Sequence, residues 1–162
     1  MRTTVMTGTT ELRHLLGLSF FVLDVGGEGR HEQAWNLNPS RVKTVGADRG
    51  APIPRLILGR AEAIPLPADS VDLVIVERTP LRVRALCEIQ RTISPGGNIV
   101  LRHAVPPNVD PHGVACEQFA RQCVTQSRYV QKEYWFQQTV FHSPRKGPMF
   151  RGRLAGELSR AP

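Results

Sequence analysis

The stretch Val22-Leu23-Asp24-Val25-Gly26-Gly27-Glu28-Gly29 decides how this chain is read. It closes a continuous apolar run from Phe20 to Val25, the pattern of a strand covered on both faces. It places an acid at the strand's end and three glycines directly after it. Without a Cβ, such a turn lets a ligand approach the backbone closely. In open α/β sheets, turns of this kind lie at the carboxyl ends of the strands, where ligands bind. Taken alone, a glycine turn is also compatible with a tight strand exit that binds nothing.

Downstream, apolar runs alternate with helical patterns. Leu56–Leu58 is a short run, and Val71–Val76 is a stronger strand, rich in β-branched residues. Thr79-Pro80 suits a helix cap followed by proline, and the helix is expected to run to about Ile93. Ala85, Leu86, Ile89 and Ile93 form its apolar stripe, with Arg84, Glu88 and Arg91 opposite. Ser94-Pro95-Gly96-Gly97 stops it, and Asn98–Val105 is the next strand. Asp110-Pro111 opens another helix to about Val124, with Cys116, Phe119, Ala120 and Cys123 inward. Arg128–His142 reads as an antiparallel pair, and Thr9–Leu18 as a short helix feeding the first strand. The expected fold is therefore α/β: a mostly parallel twisted sheet with helices on both faces and an antiparallel C-terminal strand or hairpin.

Three segments in this order carry a family resemblance. They are the Asp24 glycine turn, Gly59-Arg60-Ala61-Glu62-Ala63-Ile64-Pro65-Leu66-Pro67 before the Val71 strand, and Glu88-Ile89-Gln90-Arg91-Thr92-Ile93-Ser94-Pro95-Gly96-Gly97. Together they resemble the class I, Rossmann-like methyltransferases that depend on S-adenosylmethionine (SAM), in particular the type 11 branch, over residues 20–105. The resemblance implies SAM as cofactor. It places Asp24, Gly26, Gly27, Glu28 and Gly29 in the loop beside the methionine part, and Ala61 and Glu62 near the adenine. It puts Glu77 at the border where the methyl acceptor meets the cofactor. It implies methyl transfer to a small-molecule or carrier-bound acceptor, or else a catalytically silent binding or scaffold module of the same fold.

The chain departs from the family pattern in three places. Glu28 stands where a glycine is usual, and Arg60 replaces an acid that accepts a hydrogen bond from adenine; an arginine cannot accept one. The ribose acid is the third. If Val42–Ala47 is the second strand, Asp48 fills that role, 24 residues beyond Asp24. If the strand is Ala34–Leu37, Asn36 or Asn38 takes the place, most of the first helix is deleted, and a carboxylate is lost.

No catalytic residue is singled out, since orientation supplies much of the acceleration in methyl transfer. His103, at a strand end, is a candidate base against a structural histidine, and His31 a candidate ligand contact. The histidines show no metal spacing, and three cysteines without a C-x-x-C pair suggest neither zinc nor a disulfide framework. Buried thiols and a cytoplasmic location are expected. No segment is long and apolar enough to span a bilayer. Of the net charge of +7, residues 143–162 supply +4, which reads as a basic tail beyond a single domain of residues 1–142, with nucleic acid an unlikely partner. With about 20 residues before the first strand, the acceptor site is expected to be open, completed by a homodimer partner, another protein or the substrate itself.

Overall fold

The computed structural model describes residues 19–121, 128–133 and 135–143. The strands are β1 (Val22–Val25), β2 (Trp35–Asn38), β3 (Leu56–Leu58), β4 (Val71–Glu77), β5 (Ile93–Ala104), β6 (Arg128–Glu133) and β7 (Phe136–His142). The helices are α1 (Val83–Thr92) and α2 (Gly113–Arg121). The strands form one sheet in the order β3-β2-β1-β4-β5-β7-β6. The first five are parallel, while β7 runs antiparallel to β5 and to β6. This is the expected mostly parallel sheet with an antiparallel C-terminal pair. The expected Thr9–Leu18 helix, Cys123 and the basic tail from 144 onward lie outside the described residues.

The second strand is Trp35–Asn38, so Asn38 and not Asp48 ends it. Asp48 belongs to an exposed loop, where it pairs with Lys43. Parallel neighbours ordinarily need a crossover of a dozen or more residues, usually a helix. Here residues 26–34 join β1 to β2 without one. Two asparagine amides hold this short link. Asn36 Oδ1 accepts from the Gly29 N–H at 2.9 Å, and Asn38 Nδ2 donates to the Gly27 carbonyl at 3.1 Å.

Alternation along the strands divides the sheet's two faces. Leu23, Val74, Val76, Ile99 and Leu101 are buried with Leu86 and Ile89 of α1 and Ala115 and Phe119 of α2. Leu86 and Ile89 are fully enclosed, so truncating either to alanine should cost about 2–5 kcal/mol. On the opposite face, Val22, Leu73, Ile75, Val100 and Val140 remain half-buried. Ile75, Val100 and Val140 are adjacent there by register.

Three local expectations need correction. Helix α1 starts after Arg82, whose extended backbone makes no side-chain cap, and not at Thr79-Pro80. The reason is that Thr79 is engaged on both sides, as described below. The Ser94-Pro95-Gly96-Gly97 stretch ends the helix but stays in β5 as an irregularity, where the pairing with β4 shifts register. Cys87 is exposed on the outer flank of α1, where Gln118 Nε2 reaches its sulfur.

The polar side of α1 does a structural task. Glu88 accepts from the Ile64 N–H, while Arg91 donates to the Ile64 and Leu66 carbonyls and to Glu88. These bonds fasten the segment after β3 to the helix, which fixes Ala61 and Glu62 beside the sheet's carboxyl edge.

Candidate functional site

Strand order reverses between β1 and β4, so their carboxyl ends diverge and leave a crevice. A cavity of about 180 Å³ lies there, lined by Gly26 after β1, Pro39 after β2, Ala61 and Glu62 after β3, and Thr79 and Pro80 after β4. Four parallel strands thus contribute their carboxyl ends to one cleft. Arg60 also lines it.

The glycine turn forms one wall. Gly26 has φ +78°, and a Cβ there would overlap the Thr79 side chain. At Gly27 a Cβ would lie 2.5 Å from the Asp24 carboxyl carbon and would also strike Asn36 Oδ1. A side chain at either position would collide with the site's own walls.

Beneath the turn, Asp24 is fully buried, and neither carboxylate oxygen has a hydrogen-bond partner. A buried, unpartnered carboxylate is costly. Burial pushes its pKa up from 3.8 to about 6, with His31 and Arg30 pulling it back and Glu77 adding to the rise. Glu77, at the end of β4, is also buried. His31 Nε2 lies 3.2 Å from one of its oxygens, and Arg30 and Arg78 approach the other at 3.8 Å.

Not every expected residue points into the cleft. Glu28 turns away: its carboxylate accepts from the Thr44 N–H at 3.0 Å, the Thr44 hydroxyl at 2.5 Å and the Val45 N–H at 3.3 Å. It therefore does not plug the cleft. Gly29 is tied to Asn36, whose Nδ2 donates to the Pro54 carbonyl at 2.8 Å. Asn38 Oδ1 accepts from the Ser40 N–H at 2.9 Å. Both amides are spent on the loop, so they act on any ligand through the loop's shape. Glu62 accepts from Arg82 Nη1 at 3.2 Å across the cleft rim.

A second cavity of about 430 Å³ lies past β4, lined by Arg78, Leu81, His103, Ala104 and Pro111. His103 is fixed at both ring nitrogens. Its Nε2 lies 2.7 Å from the Thr79 carbonyl, which can only accept, so Nε2 carries a proton. Its Nδ1 is 3.0 Å from His112 Nε2, and His112 Nδ1 is 2.8 Å from the Thr139 hydroxyl. In the neutral pair, His112 Nε2–H donates to His103 Nδ1. Neither His103 nitrogen is then open to a substrate. Burial pulls the His103 pKa below 6.5, opposed by the Thr79 bond and by Glu77. His112 was not distinguishable in the sequence, because its partners come from β5 and β7.

Thr79 joins the two cavities. Its side chain abuts Gly26, and its carbonyl anchors His103. Among the described residues, no cluster of three or more His, Cys, Asp or Glu could hold a metal, and no helix is long and apolar enough to cross a membrane.

Comparison with known proteins agrees with this geometry. The methyltransferase domain family model matches residues 18–101. A SAM-dependent methyltransferase of Thermotoga maritima superposes with TM-score 0.57 at 17% identity, covering 83% of this chain and 87% of its own. The antibiotic-resistance methyltransferase Kmr gives TM-score 0.53 at 14% identity, covering 88% and 96%. A T. thermophilus 16S rRNA N2 methyltransferase, solved with AdoMet and guanosine, gives TM-score 0.54 at 13% identity, covering 90% of this chain and 38% of its own. At these identities the likeness extends to the fold. No curated protein sequence matches the chain significantly.

Proposed function

The chain belongs to the methyltransferase domain family, and from that premise we propose that it transfers the methyl group of SAM to a small-molecule or carrier-bound acceptor. The observation that carries this reading is Asp24: a buried carboxylate with no partner, beneath a glycine turn that admits no side chain, at the sheet's switch point. A cationic ammonium, such as that of SAM's methionine part, supplies the missing partner. The residues present fit the cofactor in this respect.

Gly26 and Gly27 offer a close main-chain approach, and Ala61 and Glu62 border the base end. Asn36 and Asn38 hold the loop that presents the glycines. When bound, SAM would supply an electrophilic methyl carbon for the acceptor's lone pair, with the carbon–sulfur electron pair remaining on sulfur. The chain's contribution is placement. The second cavity lies on the far side of Thr79 and Glu77, where the acceptor would enter. His103 holds the Thr79 carbonyl rather than taking a proton, because both of its nitrogens are committed. This ring therefore offers the acceptor no base. A cytoplasmic setting, where SAM is made and used, suits this role.

Calorimetric titration with SAM and S-adenosylhomocysteine tests the reading, with Asp24→Ala as control. Saturable binding by the natural chain, weakened in the variant, is expected. No heat at millimolar ligand would overturn it. A second reading, the catalytically silent module, draws on Arg60 in the cleft and on the absence of a ribose carboxylate at Asn38. Binding of both ligands without turnover on any acceptor favours it.

A further inference from the structure

The second cavity has features that specify the chemistry of its occupant. Arg78, which lines it, has φ 58°, a left-handed backbone that costs a non-glycine residue of order 1 kcal/mol. Its main-chain N–H donates to the Arg102 carbonyl at 3.0 Å. Its guanidinium lies 5.2 Å from the Phe136 ring centroid, and the Arg102 guanidinium lies 6.0 Å from the same centroid. Phe136 is the register partner of Ala104, which lines the cavity.

Neither guanidinium makes a hydrogen bond among the described residues. Among the described residues, the carboxylate that Arg78 approaches is Glu77, at 3.8 Å, which is beyond hydrogen-bond reach. Glu77 is already shared with His31 and Arg30. Two guanidinium groups, those of Arg30 and Arg78, therefore approach one carboxylate at 3.8 Å, while those of Arg78 and Arg102 both rest on the Phe136 ring. Stacking fixes a guanidinium's position while leaving its N–H fork open. Leu81, Ala104 and Pro111 supply apolar wall. The volume of about 430 Å³ falls in the range typical of small-molecule sites, roughly 300–1,000 Å³.

We propose that the methyl acceptor is a small organic anion whose carboxylate or phosphate is bound by the Arg78 fork while its body lies against Leu81, Ala104 and Pro111. Phe136 and Arg102 are positioning residues for Arg78. The proposal rests on the reading of the adjoining cleft as the SAM site and deepens it by naming the acceptor's charge class.

The probes are phenyl phosphate and benzoate, with neutral benzyl alcohol as reference, titrated calorimetrically into the full chain with and without S-adenosylhomocysteine. Both anions are expected to bind about tenfold more tightly than the alcohol, and less tightly as salt rises. The tighter of the two identifies the anionic group. Arg78→Ala should abolish the preference. Arg78→Gly, which takes the left-handed backbone without strain, should do the same and separates charge from loop geometry. Arg78→Lys should keep part of it, and Phe136→Leu should weaken it severalfold. Equal binding of anions and alcohol, or a preference that survives both Arg78→Ala and Arg78→Gly, overturns the proposal. So does a single-stranded RNA oligonucleotide that binds more tightly than either anion and is not displaced by phenyl phosphate. Binding of S-adenosylhomocysteine to the natural chain, measured separately, tests the cofactor reading. Its failure leaves the anion preference independently readable.

Discussion

Replacing Asp24 with asparagine removes a charge while keeping its shape, and burial of the carboxylate sets the sign of the result and its order of magnitude. The Asp24 pKa is raised from 3.8 to about 6 by burial. Because the folded state holds this proton more tightly than the unfolded chain, the carboxylate lowers stability as pH climbs from 3.8 towards 6. Below 3.8 the penalty is absent; above about 6 it is complete. A shift of this size corresponds to about 3 kcal/mol. Asp24→Asn should therefore gain about 3 kcal/mol relative to the natural chain between pH 4 and pH 7.5, or about 6–12 °C in unfolding temperature for a chain of this length. The assay is thermal unfolding of both proteins across that pH range, without ligand. In parallel, the variant should bind SAM more weakly, since the unpartnered carboxylate is the ammonium's counter-charge. Stability gained where binding is lost is the usual trade at a functional site. A difference between the two proteins that does not change with pH would refute the reasoning.

Other expectations follow from the same geometry. Gly27→Ala drives a methyl group into Asp24 and Asn36, both buried, and should cost roughly 1–3 kcal/mol in chemical denaturation and weaken SAM binding. Glu28→Gln should leave SAM affinity within about twofold, because the side chain faces the 40–50 loop, yet it should speed proteolysis of that loop. Desolvation pushes the Glu28 pKa up, but the Thr44 and Val45 bonds outweigh it and hold the carboxyl below 4.5. Its support for the loop is therefore complete above pH 4.5 and is lost as pH falls through the lowered value, which proteolysis at several pH values reads out. In nitrogen NMR spectra, His103 should be the Nε2–H tautomer at neutral pH with a midpoint below 6.5. An Nδ1–H tautomer would contradict the hydrogen-bond direction assigned here.

The framework could be read from local pattern. Val71–Val76, rich in β-branched residues, and the short apolar run Leu56–Leu58 appear as β4 and β3 with little change. The Asp24 turn lies at the carboxyl edge, as its glycines require. The second strand stayed ambiguous because Trp35–Asn38 is short and half polar, and its asparagines look like loop residues until their amides are seen holding Gly27 and Gly29. Thr79-Pro80 has the composition of a helix cap, but tertiary contacts with Gly26 and His103 claim it first. The His103–His112 pair and the Arg78–Phe136–Arg102 group were illegible for a different reason. Each depends on β7 pairing with β5 in one register, and no sequence periodicity encodes which strands become neighbours.

Thr79 is a shared partition, touching Gly26 on one side and His103 on the other. A guest that displaces it from either side must deform the opposite compartment as well. Occupancy of the two compartments is then thermodynamically linked, and linkage is reciprocal: whatever factor the first guest imposes on the second, the second imposes on the first. Titrating each guest in the presence of the other measures that factor, and with it the order in which the two prefer to arrive.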